Sequence, residues 1–372
     1  MAAAYKERIN RARKLARDEG FEALWVNDAP NVRYLSGFTG SSGYILLGPG
    51  KGYFITDSRY ELQAAQEVRD LEIAILRGRL PALLKQLLSG MNVSRLAFSG
   101  ALLSFDEVQS IRRALRGTAA FQPLQGSLSG LRAVKDAEEV TALRRAVSNA
   151  ERAMRAVAGL VRPGVTEMRV AEALACELIR GACDDAAFNI IVACGPRSAL
   201  PHATPSGRRL GRRDLMLLDW GARCGGYHSD MTRVFFEGEP AAELRKIHGV
   251  VLEAREAALQ AIRPGAAAAD VDAAARRVIE DAGYGEHFGH ALGHGVGLEV
   301  HEAPVLGGAS RDILKPGMVF TVEPGIYLPG KGGVRIEDVI HLEGDGPRVL
   351  GRLPRSGVLP SGAGRGSEVM VE

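Results

Sequence analysis
The sequence predicts an α/β protein of two domains, a mixed-sheet N-terminal domain followed by a larger domain built from a duplicated α/β unit. Three observations predict it. The chain has 372 residues, and domains typically hold about 100–200. Its N-terminal part alternates helical and strand patterns around one hairpin. Its C-terminal part carries an internal repeat that sets histidines and carboxylates at matching offsets. A hydrophobic content of 46% is enough for real cores. The formal charge of +3, on 47 basic and 44 acidic residues, argues against a polyelectrolyte-driven nucleic-acid binder.

Taken in order, "MAAAYKERINRARKLARDEG" has charges all along it and no apolar h-region, so it reads as an amphipathic helix and not a signal peptide. "FEALWV" reads as a strand, and "YILLGPGKGYFIT" as two strands around a Gly/Pro turn. "DSRYELQAAQEV" returns to helix, "LEIAIL" to strand, "LPALLKQLL" to helix and "RLAFSG" to strand. "SFDEVQSIRRALRG" is a helix opened by Ser104 and closed by Gly117. These elements make an N-terminal domain of residues 1–125. "FQPLQGSLSGLRAVKD" (121–136) reads as the connection, with 126–135 as the linker. Asp136 then N-caps the long helix "AEEVTALRRAVSNAERAMRAVAGL", which opens a second domain of residues 136–355. "SGVLPSGAGRGSEVMVE" (356–372) has the composition of a disordered tail. No apolar run approaches the ~20 residues that span a bilayer, so no membrane partner is expected. None of the four cysteines forms a CxxC pair. A reduced, cytoplasmic setting is therefore expected.

Within the second domain, "VRPGVTEMRVAEALACELIRGACDDAAF" and "IRPGAAAADVDAAARRVIEDAGYGEHF" both read apolar-Arg-Pro-Gly, then an amphipathic helix, then a Phe. They begin at Val161 and Ile262, 101 residues apart. A tripeptide match can arise by chance. The downstream residues strengthen it: His202 lies 39 residues after Pro163 and His301 lies 37 after Pro264. Asp219 lies 56 after Pro163, and Glu323 lies 59 after Pro264. Two such halves would build a site between them.

Four carboxylates stand in or beside apolar runs. Asp219 ends "LMLLDWG", and Asp230 precedes "MTRVFF" across a Gly-rich, hairpin-like stretch. An acid there is costly to bury unless it is paired or coordinated, although turn-capping aspartates are a plain alternative. Glu323 ends the apolar "MVFTVE", and Glu337 lies inside "GGVRIEDVIHL", where alternation sends Arg335 and Glu337 to one face. An exposed strand face is the alternative for that pair. "FGHALGHGVGLEVHEAP" holds His290, His294 and His301. His290 and His294 have the i, i+4 spacing of a helical zinc site, but the glycines around them break a helix and no glutamate follows His290. Glycines on both sides of His294 let the backbone come close to something. Together, four acids and an imidazole suit hard or borderline divalent ions. Crowded carboxylates raise one another's pKa. Two divalent ions would cancel four negative charges and activate a shared water, which points to a two-metal hydrolase.

At these residues the chain resembles a known family. "LLDWGARCGGYHSDMTR", "GHALGHGVGLEVHEAP", "TVEPGIY" and "GGVRIED" resemble, in order and spacing, the signatures of the pita-bread metallopeptidases: proline-specific aminopeptidases, prolidases and methionine aminopeptidases. The likeness runs from about Leu131 to Arg355, and "NVRYLSGFTGSSGYILL" is similar to the N-terminal domain of the proline-specific branch. The resemblance implies a pita-bread catalytic domain with pseudo-two-fold symmetry. It implies metal ligands at Asp219, Asp230, His294, Glu323 and Glu337, with Asp230 and Glu337 bridging two ions. Mn²⁺ is expected first, with Co²⁺, Zn²⁺ or Fe²⁺ as alternatives. It further implies Glu323 as proton shuttle, His202 and His301 as substrate and oxyanion residues, and His290, Arg335 and Tyr327 as supporting residues around them.

The expected activity is removal of the first residue from Xaa-Pro-Yaa and longer peptides. A dipeptidase needs a fixed basic group for the free carboxylate of Xaa-Pro. Some prolidases of the family carry an arginine just after the "HExP" segment, where this chain has Val305. Arg59, Arg197 or a partner subunit's arginine could replace it, so the Xaa-Pro dipeptidase stays as the alternative. A metal-free creatinase-like hydrolase and a non-catalytic binding module are remoter, because all five ligand positions are filled. Methionine aminopeptidase is disfavoured by the extra N-terminal domain. The expected partners are proline-containing peptides and a second copy of the chain in a homodimer.

Overall fold
The computed structural model describes residues 2–99, 103–181 and 183–357. It divides into two compact units, Met1–Arg132 and Ala133–Glu372. Of the tail expected at 356–372, residues 358–372 lie outside the described residues.

The first unit holds one mixed sheet of strands β1 (Ala23–Val26), β2 (Tyr44–Leu47), β3 (Gly52–Thr56), β4 (Glu72–Ile75), β5 (Arg95–Phe98) and β6 (Ala120–Pro123). Their order is β4-β3-β2-β1-β5-β6. The expected hairpin is β2–β3, closed by Gly48 N–H donating to Lys51 O at 2.9 Å, with Gly50 at a φ of 73° that favours glycine. The connection read at 121–136 begins one strand later than the sequence suggests. Residues 120–123 form β6, parallel to β5, and Ser129–Arg132 turn as a short helix. Phe121, buried and stacked on Phe98 at 4.2 Å, is the apolar anchor that a Pro- and Gly-rich context hides.

The second unit opens with the helix Ala137–Val157. Its N-terminus carries a reciprocal cap between Asp136 and Glu139. Strands β7 (Asp185–Ala186), β8 (Ile191–Cys194), β9 (Leu215–Trp220), β10 (Ala222–Cys224), β11 (Tyr227–His228) and β12 (Met231–Phe236) follow. After them come β13 (Gly293–Gly295), β14 (Glu302–Leu306), β15 (Val319–Val322), β16 (Gly325–Leu328), β17 (Gly332–Arg335), β18 (Asp338–Glu343) and β19 (Gly346–Val349). The larger sheets run β12-β9-β8 and β14-β13-β15-β18-β19. Both faces of the central strands β9 and β15 are covered. Along β9, Leu215 and Leu217 enter one apolar core, while Met216, Leu218 and Trp220 enter the other. Two-sided burial is why the sequence here is a continuous apolar run and not an alternating one.

The repeat is built into the backbone. Gly164 N–H donates to Leu210 O and Gly265 N–H to Leu314 O, each at 2.8 Å. Thr166 bridges Arg209, and Ala267 bridges Ile313. Each Arg-Pro-Gly turn therefore hooks its following helix, Glu167–Arg180 or Ala268–Asp281, to a returning segment in the same way. Gly164 and Gly265 have φ of 90° and 86°, which explains the shared glycine.

Two expectations need correction. "GGVRIEDVIHL" is not one strand. β17 pairs with β16 and β18 with β15, and the chain passes between sheets at Ile336–Glu337. The cysteine reading fails for one pair, since Cys183 and Cys224 are joined by a disulfide. Antiparallel pairing of Asp185 with Arg223 brings them together, a contact that close spacing in sequence cannot reveal. Cys176 and Cys194 are free thiols.

Candidate metal centre
Asp219 sits near the end of β9, paired across the sheet with Thr232 of β12, and Asp230 immediately precedes β12. His294 is the middle residue of β13, Glu323 directly follows β15, and Glu337 occupies the crossing between β17 and β18. Every acid is thus at a strand end, where a side chain can leave the apolar layer without displacing it. Asp219, Asp230 and Glu337 are buried. Ligand atoms of Asp230, His294 and Glu337 lie within 4.8 Å of one another. His294 Nε2 is 3.2 Å from Glu323 Oε1 and 3.8 Å from Asp230 Oδ2. Asp219 is tied to this group through Thr232, its register partner, whose hydroxyl donates to Glu337, and through Arg335, which donates to both Asp219 and Thr232.

The supporting hydrogen bonds fix orientations. His294 Nδ1 meets Gly295 O at 3.1 Å, which makes Nδ1 the donor and turns Nε2 toward the acids. Glu337 Oε2 accepts from Thr232 Oγ1 at 2.7 Å. Arg335 donates to Asp219 Oδ2 at 2.6 Å, to Thr232 Oγ1 at 3.0 Å and to the Tyr327 hydroxyl at 2.8 Å. Tyr327 in turn meets His290 Nε2 at 2.9 Å, and His290 Nδ1 meets Ala291 O at 2.8 Å. One polar chain thus runs from Asp219 to His290. His301 is exposed, its ring 4.3 Å from that of His294. His202 is also exposed.

Electrostatics describe a cluster that resists its own charge. Burial pushes the Asp230 and Glu337 carboxyls well above the carboxylate range, and neighbouring carboxylates push them further. Burial also raises Asp219, against the opposing Arg335 guanidinium. For Glu323 burial acts upward, but the hydrogen bond and charge of His294 outweigh it and its pKa falls. His294 is the converse: burial acts downward, and Glu323 carries it up. A like-charged pair ~4 Å apart at an effective dielectric of ~20 costs about 4 kcal/mol. Folded proteins are stable by only about 5–15 kcal/mol. Four ionised carboxylates in this space require cations, or else protons.

Thr232 and Thr321 are parts of the site that sequence reasoning missed. Thr321 Oγ1 accepts from the His294 N–H at 3.0 Å and donates to Glu323 Oε1 at 3.1 Å. A lone threonine in an apolar strand carries no signal; only the cross-strand register places it. Asp338, next to Glu337, was also passed over. It points elsewhere, into Arg233, Arg255 and Arg355 at 2.8, 2.6 and 2.5 Å. The two candidate replacement arginines are engaged: Arg197 pairs with Glu167 at 3.1 Å, and Arg59 pairs with Asp57 at 2.9 Å.

Residues 141–343 match metallopeptidase family M24, and residues 8–134 match the creatinase/prolidase N-terminal domain. Over 348 residues the chain is 38% identical to the uncharacterized peptidase YqhT of Bacillus subtilis (strain 168), covering 94% of this chain and 98% of that protein. The solved structure of an Xaa-Pro dipeptidase from Bacillus anthracis is 36% identical with a TM-score of 0.93, covering 95% of this chain and 99% of that one. An X-Pro aminopeptidase from Thermotoga maritima MSB8 is 37% identical with a TM-score of 0.85, covering 94% and 99%. The chain belongs to metallopeptidase family M24, in the branch that carries the creatinase/prolidase N-terminal domain. It is a peptidase with a pita-bread catalytic domain, of a family that works with divalent metal ions. The residues present fit such ions. Asp219 Oδ1 is buried with no hydrogen-bond donor among the described residues, and the donor set is carboxylate oxygen plus imidazole. Among the described residues no helix is long and apolar enough to cross a membrane.

Proposed function
We propose that this peptidase removes the first residue from peptides with proline in second place, acting on Xaa-Pro-Yaa and longer chains. Two divalent ions serve it, Mn²⁺ first among the candidates. The observation that carries the substrate length is Val305. It is apolar and about half exposed, at 49%, beside His294 in the sheet register, where a carboxylate clamp would need a cation. The engagement of Arg197 and Arg59 with their own carboxylates supports the same reading.

Asp219, Asp230, His294, Glu323 and Glu337 would hold the ions. Bound divalent ions supply the charge that activates a water and polarises the scissile carbonyl. Glu323 takes a proton at its carboxylate and returns it to the leaving proline nitrogen. His301 donates to the developing oxyanion, and His202 steadies the substrate. Arg335 holds Asp219 and, through Tyr327, orients His290. A proline nitrogen has no N–H, so recognition rests on packing its ring and not on a hydrogen bond.

Turnover of matched Xaa-Pro and Xaa-Pro-Yaa peptides tests the reading, with apo, Mn²⁺, Co²⁺ and Zn²⁺ enzyme. The expected outcome is metal-dependent cleavage with higher kcat/KM on the tripeptide. A tenfold or greater preference for the dipeptide would overturn it. That result would establish the second reading, an Xaa-Pro dipeptidase, which the name of the Bacillus anthracis relative favours.

A further inference from the structure
A cavity of about 660 Å³ lies beside the acidic cluster, with His290 and Val305 in its wall. Both residues also border the cluster. His290 is tied to Tyr327 at 2.9 Å, and Val305 is the register partner of His294. Side chains directly opposite in an antiparallel pair stand on the same face, so Val305 is the step from the cluster into the cavity. Gly307, Gly308 and Arg311 line the same cavity.

The cavity has two arginines, and they differ. Arg276 is committed: it forks onto Asp272 with two contacts of 2.9 Å and donates to Phe288 O and His290 O. Arg311 makes no ion pair or hydrogen bond among the described residues, and it is exposed. Its backbone is nonetheless fixed on both sides. Ser310 N–H closes a turn on Gly307 O at 2.9 Å, Asp312 Oδ2 accepts from the Val305 N–H at 2.9 Å, and Ile313 bridges Ala267. Asp312, the acid in the lining, has one oxygen satisfied by that amide. A turn fixed by its backbone therefore sets an uncommitted arginine in the lining of the cavity that Val305 also borders.

We infer that this cavity receives the residue that follows proline, and that Arg311 reads its free α-carboxylate. The inference rests on the Xaa-Pro-Yaa reading and adds to it: the preferred substrates are tripeptides with an unblocked C-terminus. Guanidinium and carboxylate match as a two-pronged pair, which an amide cannot reproduce. Because Arg311 is exposed, the gain is modest and salt-sensitive.

The test compares Xaa-Pro-Yaa with its C-terminal amide, Xaa-Pro-Yaa-NH₂, in metal-loaded wild type, Arg311→Ala and Arg311→Gln. Wild type is expected to favour the acid by about tenfold in kcat/KM, carried by KM. In both variants that ratio falls to near one, and in wild type it shrinks as salt rises. An acid-to-amide ratio unchanged by both substitutions overturns the assignment. So does a wild-type ratio already near one. Cleavage of Xaa-Pro, measured in parallel, judges the aminopeptidase reading separately. Where the tripeptide is cleaved, the acid-to-amide contrast decides Arg311; cleavage of Xaa-Pro with neither tripeptide turned over overturns both readings.

Discussion

Two histidines four and seven residues from His294 have opposite fates. His290 is locked between Tyr327 and its neighbour's carbonyl. His301 makes no hydrogen bond among the described residues and faces the same space as His294. A locked imidazole supports; an unengaged one is available to substrate. His301→Ala is therefore expected to keep its metal content and lower kcat by about 10²–10³-fold, with a smaller change in KM. Elemental analysis and steady-state kinetics check this, and an unchanged kcat with raised KM would reduce His301 to a positioning role. The acids of this site were legible because a carboxylate in an apolar run has to be explained. Thr232 and Thr321 were not legible, because their importance comes from partners 105 and 27 residues away. Alternation along the strand separated Glu337 from Asp338, but it could not show what each acid meets. The sheet change at Ile336–Glu337 leaves Glu337 at the acidic cluster, and Asp338, the first residue of β18, turns into Arg233, Arg255 and Arg355.

Elements whose apolar pattern faces a core on both sides, such as β9, were readable as strands; the break between β17 and β18 was not. No proline or turn residue marks it, and the switch is set by which partner strand each segment meets. The same dependence on packing governs His248, in the helix Ala242–Ala261. Its ring packs edge-on to Phe236 of β12 at 5.2 Å, and its Nε2 has no partner among the described residues. Burial lowers its pKa, against a weaker upward pull from the backbone of Arg355. The unfolded chain therefore takes up a proton near pH ~6.5 that the folded chain refuses until lower pH. This contribution to stability is intact above that value and is lost as pH falls through it toward the folded pKa. His248→Phe is expected to flatten the decline in urea midpoint between pH 7 and 5, by at most about 1.4 kcal/mol per pH unit. Measured in chelator, a slope equal to that of wild type would show that His248 is not desolvated. The slope left in the variant belongs to the other shifted groups, His228 and the metal-free Asp230 and Glu337 carboxyls among them.

Across the whole molecule, the duplicated Arg-Pro-Gly turn was visible as a weak repeat, and its matched hydrogen bonds explain why so little of it survives in sequence. The turn needs a glycine at positive φ and backbone groups, and backbone groups leave no side-chain signature. Duplication also bears on the proposed metal centre. Asp219 and Asp230 come from the first half, and His294, Glu323 and Glu337 from the second, so an ion held by both sets would join two halves that otherwise meet as like charges. None of these residues lies in Met1–Arg132. Metal bound at ~100 times its Kd stabilises the state that binds it by about 2.7 kcal/mol. That amount falls on the unit containing the ligands. Removing metal with EDTA is therefore expected to speed amide exchange in β9, β12, β13 and β15, by up to ~100-fold for amides that open only with the whole unit. Strands β1–β6 should keep their protection. Hydrogen exchange read by mass spectrometry, with and without chelator, distinguishes the outcomes. Equal loss of protection in β1–β6 would mean that the two units unfold together. No change in β9 and β13 would mean that ions do not bind between the halves, and the metal centre proposed here would fall.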